Sequence, residues 1–500
     1  MSLKRLTKES LIYGLSGYIS KMISVFLLPL YTAVLTPKDY GILDLLGTIS
    51  LVSTFLIVSG TDTAQGYYFF RQEYRNERSS IISSVMVLRL SFGLFSFIII
   101  AVFSKLISGT LFGQDLSLFV IITGATVAFS SIHQFLFDLL RLEFRQWLYL
   151  ILSSSYITIS ISLMIFFVLI LKMGVYGVLT GQAISYGAVY AFTLIYVFKR
   201  YGNHFSFAWV KKILSYGFPL IGTGIAIWLL NSTSSYFLAH YADLTAVGIY
   251  AVGLKIASFL GIIAGALQLA WGPYAMDIQY NPEAKNIYSK VFQIYFFVNI
   301  IGIFLVSLFA INILKVFTQP NYYDAKAVVP FLCFSTVFAS AYFIVAIGIN
   351  IVKKVQHTIW IMFCGAAVNI TLNYFLTPKI GGVGAAFSIM TANLTIFLLT
   401  MLVSQRYYYV PYKFNKILFV LIPAGVLIWV CYFYDLGIFY RIIIAVIATT
   451  YFVIFLYKNF KNADEFTKLI QFAGDLNIFS KKNRAKAKEI HNNINPNQNE

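Results

Sequence analysis

Three basic residues of this 500-residue chain stand deep inside apolar runs: Lys21, Arg89 and Lys255. Lys21 lies about twelve residues into the run 9–35, roughly 18 Å at the helical rise per residue. Arg89 and Lys255 lie about 13 Å from the nearer ends of the runs 81–103 and 246–271. Snorkelling returns a long side chain only a few ångströms toward water. A cation at such depth therefore lines a wet cavity or meets an internal anion. Three deep charges of one sign suggest an anionic ligand. The acids are shallower. Asp44 sits near one end of the run 41–65, and Asp62 and Asp138 lie near the opposite ends of theirs, close in sequence to Arg71 and Arg141. That spacing suits structural ion pairs first, and proton or ion coupling as the alternative.

Polar residues also recur at helical spacing. Gly224, Trp228, Asn231 and Ser235 share one face, Thr126, Ser130, His133 and Gln134 cluster in another run, and Asn369 and Asn373 are one turn apart. Such stripes bind helices to one another in membrane proteins. The sharper reading is a hydrophilic cavity offering hydrogen bonds and an aromatic platform to a sugar, with Trp228, Asn231, Ser235, Gln134, Asn369 and Asn373 as its contacts. No metal site is expected: the five histidines are scattered singly, and Cys333, Cys364 and Cys431 lie in apolar runs as small hydrophobes.

The elements that must position these residues are helices in lipid. The chain is 59% hydrophobic and 11% charged, too little charge to keep a soluble surface in water. Runs of roughly 20 apolar residues can each cross a hydrocarbon core about 30 Å thick. Backbone in lipid must satisfy its own hydrogen bonds, and the runs lack the alternation of a membrane barrel. The reading is an all-α polytopic membrane protein of about fourteen spans between residues 9 and 457. The first run is too long for a removable signal peptide and ends in Thr36-Pro37 without a small-residue cleavage site. Pro29, Pro219 and Pro330 fall within spans and predict kinks.

The net charge of +18 reads as topology and not as nucleic-acid binding, because the basic residues concentrate in the loops. With the N-terminus in the cytosol, 27 of the 37 basic residues fall on the cytosolic side and seven on the outer side, which also places the C-terminus inside. Trp147, Trp209 and Trp271 then mark cytosolic span ends as an aromatic belt.

The two halves repeat. Lys172-Met-Gly174-Val-Tyr-Gly177 and Lys379-Ile-Gly381-Gly-Val-Gly384 are 207 residues apart, and the same offset relates Tyr40-Gly41-Ile42 to Val247-Gly248-Ile249. Near the first span the offset is 203, pairing Tyr13-Gly14 with Tyr216-Gly217. An even number of spans per repeat keeps both halves in one orientation, a parallel repeat. The expected organisation is a six-helix lobe over 1–205, a second six-helix lobe over 206–408, two further helices over 409–457 and a cytosolic tail over 458–500. In the tail, Asn462-Ala-Asp464-Glu465 opens a short amphipathic helix, and the basic, Asn-rich end lacks the means to bury a core.

The opening Glu9-Ser-Leu-Ile-Tyr-Gly-Leu through Phe26-Leu-Leu-Pro29, with Leu35-Thr-Pro-Lys-Asp-Tyr40-Gly41-Ile, resembles the polysaccharide and O-antigen flippase family of the MOP superfamily. The resemblance implies two six-helix lobes facing a central cavity that opens alternately to either side, in a bacterial inner membrane. It implies an undecaprenyl-pyrophosphate-linked oligosaccharide as substrate, carried from the cytosolic to the outer leaflet. In related lipid II flippases, basic residues of spans one and eight hold the pyrophosphate. Lys21 and Lys255 occupy those spans here, with lysine where arginine is usual, and Arg89 joins them as the third cation. The expected partners are the lipid-linked oligosaccharide, membrane lipids and other polysaccharide-assembly proteins. The chain has no phosphate-binding loop for ATP, so an ion gradient or the membrane potential is the expected energy source, without a cofactor. The rivals are a cation-coupled multidrug extruder of the same superfamily, which would bury carboxylates, and a membrane-embedded glycosyltransferase, polymerase or ligase, which would need larger outer loops.

Overall fold

The structure, a computed structural model, describes residues 27–352, 354, 356–433 and 437–459. Lys21, the Tyr13-Gly14 motif and the tail segment around Asn462 lie outside the described residues. Among the described residues every regular element is helical.

The motif that follows the first span is a helix start. Thr36 caps α2 (Pro37–Val58), with Pro37 in the first turn and a reciprocal exchange in which the Asp39 amide donates to Thr36 Oγ1 and the Thr36 amide to Asp39 Oδ2. Before it, α1 (Leu28–Val34) carries Pro29 in its own first turn. Ser59 and Gly60 turn left-handed and end α2, and α3 (Thr61–Phe69) continues the span. The first half proceeds through α4 (Arg78–Val102), α5 (Ser104–Phe112), α6 (Ser117–Leu142), α7 (Gln146–Met164, extended by a π-helical turn) and α8 (Gly174–Tyr201).

A helix with a buried stripe, α9 (Phe207–Gly217), follows. Trp209, Val210 and Ile213 join Ile81, Val85, Met86, Phe135 and Val197 in one apolar cluster, so the residues just after position 206 are held by first-half helices. A turn through Pro219 bends the chain by 50° into α10 (Ile221–Tyr241), as Pro219 predicts.

Next come α11 (Leu244–Asp277), capped by Asp243 through the Ala246 amide, α12 (Ala284–Leu308), α13 (Ala310–Phe317), α14 (Val329–Val345) and α15 (Ile347–Ile351). Pro330 lies in the first turn of α14, where its missing N–H is no loss, so it opens that helix instead of kinking a span. The continuous helix α16 (Gln356–Tyr407) is broken at Ile380 and Gly381, where φ and ψ leave the helical region, and so holds two of the expected spans. α17 (Phe414–Phe433) follows. These elements belong to one compact body, Glu9–Tyr434, while α18 (Ile438–Asn459) belongs to a second unit.

Among the described residues nine helices are long and apolar enough to cross a membrane, or ten if α9 and α10 count as one span. Large apolar side chains on their outer faces are exposed, among them Leu94, Phe95, Ile98 and Val102 on α4, as lipid-facing surface requires. Of the three tryptophans expected in an aromatic belt, Trp147 is 78% exposed, whereas Trp209 and Trp271, at 2% and 3%, are buried within the protein instead. Trp209 is drawn inward because its indole donates to Glu77 at 2.8 Å while its ring meets Tyr68 and Tyr74 edge-on. Trp271 packs edge-on against Tyr288.

Candidate functional site

The two halves meet where α2 and α11 begin. A Cβ on Gly41 would overlap the Leu244 carbonyl oxygen, and a Cβ on Gly248 would overlap that of Pro37. Pro37 and Gly41 are the repeat equivalents of Leu244 and Gly248, so this contact is two-fold: each helix presents the same patch to the other. Only glycine lets two backbones approach so closely. At the far end of the same span, Gly60 adopts φ +69° and lies against Gly217 at the end of α9.

One turn beyond Gly41, the seam acquires charge. Asp44 of α2 accepts a 2.6 Å hydrogen bond from Ser235 of α10. The Lys255 ammonium of α11 attracts the same carboxylate without a direct ion pair among the described residues, and Tyr40 and Tyr250 are also within its field. Both charged side chains are half-buried. One turn further along α2, Thr48 donates to its own helix and to the Tyr236 hydroxyl, 2.9 Å away, and the Thr48 carbonyl accepts from the Trp228 indole at 3.1 Å.

Thus Trp228, Ser235 and Lys255, singled out for three different contacts to a ligand, are gathered on one seam. Trp228 and Ser235 spend their hydrogen bonds between α10 and α2. Asn231 donates to its own helix at Ile227 and is exposed. Asn369 and Asn373 are wholly buried behind α10: Asn369 donates to the Leu230 carbonyl at 2.8 Å and Asn373 to Ser234 and Asn369, which ties α16 to α10. Their geometry is that of helix–helix hydrogen bonding, the other reading of such stripes. Gln134 is half-buried on α6.

Arg89 is elsewhere. It is wholly buried and donates to Thr61 Oγ1 at 3.0 Å, the Ser131 carbonyl at 3.1 Å and Asp138 at 3.5 Å, with its guanidinium 5.6 Å from the centre of the Phe135 ring. Asp138 also pairs with Arg141 at 2.7 Å, and Asp62 adds its field to Arg89. Arg71, expected beside Asp62, pairs with Glu73 instead. The structure therefore joins Arg89, Asp62 and Asp138 in one internal network of α3, α4 and α6. Among the described residues no group of three potential ligands could hold a metal ion.

Asp44 is the acid that the sequence did not place among the candidate site residues. The signal lay in the repeat: Asp44 and Thr48 of the first half stand where the second half has Ala251 and Lys255. At an otherwise two-fold seam, opposite charges mark the place where the halves diverge.

The fold is shared with known transporters. It is similar to a lipid II flippase, MurJ, in an inward closed conformation, with a TM-score of 0.71 and 15% identity over 90% of this chain and 99% of that one. It is similar to an inward-facing multidrug resistance MATE family transporter of the MOP superfamily, with a TM-score of 0.62 and 15% identity over 79% and 94% of the two chains. A MOP superfamily transporter from Pyrococcus furiosus gives a TM-score of 0.52 and 14% identity over 80% and 95%. No curated protein matches. The chain thus has the multi-pass helical fold of these proteins. The profile of the polysaccharide biosynthesis protein family matches residues 6–279, more than half of the sequence, and the chain belongs to that family.

Proposed function

We propose that this protein flips an undecaprenyl-pyrophosphate-linked oligosaccharide from the cytosolic to the outer leaflet of a bacterial inner membrane, by alternating access between lobes formed by 1–205 and 206–408. The observation that carries the proposal is family membership together with a cation, Lys255, at the seam between repeated halves. Lys255, with Lys21 of the first span, would neutralise the pyrophosphate; Asn231 and Gln134 are sugar contacts with surface to spare. Arg89 is better suited to holding the first half together. The lipid tail would stay in the bilayer. The split of basic residues supports cytosolic termini. An ion gradient or the membrane potential would supply energy, and other polysaccharide-assembly proteins are the expected partners.

The test is a strain lacking the gene, with protein abundance measured beside the leaflet in which undecaprenyl-linked oligosaccharide accumulates. The intact gene should restore outward transfer, and Lys21→Ala/Lys255→Ala should not. Normal export by the double variant would remove the anionic-substrate mechanism.

Asp44 favours a second reading, a cation-coupled multidrug extruder, since a carboxylate on the seam is what a cation would engage. That reading expects drug resistance to fall in Asp44→Asn while glycan export stays intact. A membrane-embedded glycosyltransferase, polymerase or ligase has no comparable support.

A further inference from the structure

We propose that Asp44 is a built-in counter-anion whose charge attracts Lys255 across the closed glycine seam, and that an anionic headgroup takes its place and so unlocks the seam. The inference rests on the proposed function for the identity of the anion; its latch rests on the glycine contact, the Ser235–Asp44 hydrogen bond and the attraction between Asp44 and Lys255.

Four observations converge. The α2–α11 contact through Gly41 and Gly248 is two-fold and made by backbone, so it has no ionic preference of its own. Asp44 is three residues beyond Gly41 and Lys255 seven beyond Gly248, so the opposite charges lie directly behind the contact, one from each half. Asp44 is further tied by Ser235 to α10, so three helices from both halves converge on one carboxylate. Lys255 has no hydrogen-bond or ion-pair partner for its ammonium among the described residues; it is attracted to Asp44 but not captured by it. The Arg89 network shows the contrast, with three acceptors placed within hydrogen-bond reach.

The consequence is a competition. Parting the seam draws Asp44 and Lys255 apart and weakens their attraction in a medium of low dielectric, which opposes opening. A ligand with two or more negative charges on Lys255 replaces Asp44 and removes that opposition. A neutral ligand does not. The seam therefore opens to an anion in preference to an uncharged sugar, and Asp44 acts as a positioning residue that sets this selectivity.

The experiment uses the full chain purified in detergent, with the native cysteines replaced and Ala251→Cys as reporter. Ala251 is 5% exposed and occupies the position in α11 that Asp44 occupies in α2. The rate of maleimide labelling reads seam opening, and the probe is inorganic pyrophosphate. The parent should label slowly, and faster with pyrophosphate. Asp44→Asn should label about tenfold faster without pyrophosphate and gain little from it, since a ligand shifts an equilibrium only by its differential affinity. Asp44→Glu should stay slow. Asp44→Asn/Lys255→Gln, which removes both charges, should be slow again and blind to pyrophosphate. Retaining native Cys333, buried in α14, in a parallel protein controls for unfolding.

Slow labelling of Asp44→Asn, fast labelling of Asp44→Glu, or equal exposure of Cys333 in Asp44→Asn would each overturn the latch. If the variants order as expected but pyrophosphate changes no rate, the latch is upheld and the anionic-substrate reading of the protein falls.

Discussion

Two basic residues at comparable depth, Arg89 and Lys255, have opposite surroundings. Arg89 is wholly buried, and its guanidinium meets a hydroxyl, a carbonyl and a carboxylate within one half of the chain. Lys255 is half-buried, and its counter-charge, Asp44, comes from the other half. The first arrangement is complete and has nothing left to offer a ligand. The second is incomplete, and separating the halves would break it. Depth in the membrane marks a charge as important, but only its partners say whether it holds a structure or works in it.

Variants can break or sharpen this comparison. The largest effect should come from Arg89→Ala, which leaves Asp138 and Thr61 without their buried donor and should cost about 3–5 kcal/mol. The measurement is folded protein recovered from membranes, together with its melting temperature in detergent. Full recovery would mean that the network is not structural. Lys255→Ala should insert and accumulate normally yet lose roughly tenfold or more in export, the loss of a charged contact worth about 1.5–3 kcal/mol. Lys255→Arg should keep part of the activity, because charge is retained while geometry changes. Equal damage from Arg89→Ala and Lys255→Ala in both abundance and export per molecule would erase the distinction.

Gly248→Ala should push α2 and α11 apart at a cost of about 1–3 kcal/mol. A longer reach between spin labels on the outer ends of the two helices would report it, and an unchanged distance would show that the backbone contact is not limiting. Trp228→Phe removes the indole donor to the Thr48 carbonyl and should cost only about 1 kcal/mol, read as a small drop in melting temperature. Deletion of 481–500 should change neither abundance nor export, since that basic, Asn-rich segment has too few apolar residues to build a core.

The start of α2 was legible because the Thr36-Pro37-Lys38-Asp39 order is a local code: cap, helix-opening proline and reciprocal carboxylate lie within four residues. The break at Gly381 was legible for a similar reason, since the Lys379-Ile-Gly381-Gly motif interrupts two apolar runs and glycine accepts the φ of +54° found there. The placement of α9 was not. Its apolar stripe says that one face is covered, but the covering residues, Ile81 and Val85 among them, are more than a hundred positions away. Trp209 misled for the same reason, since a tryptophan at a span end can serve lipid or a neighbouring helix equally well.

The sequence by itself determined that this chain crosses a membrane many times, that its halves repeat, and which charges stand deep in its apolar runs. Those are properties of residues near one another along the chain, and the cost of exposing polar backbone or charge to lipid fixes them before any helix meets another. Which charges are satisfied was decided only in the tertiary structure. A cation's partner is chosen by which helices pack together, and that depended on glycines at 41 and 248 bringing two distant backbones into contact so that Asp44 and Lys255 faced a common seam.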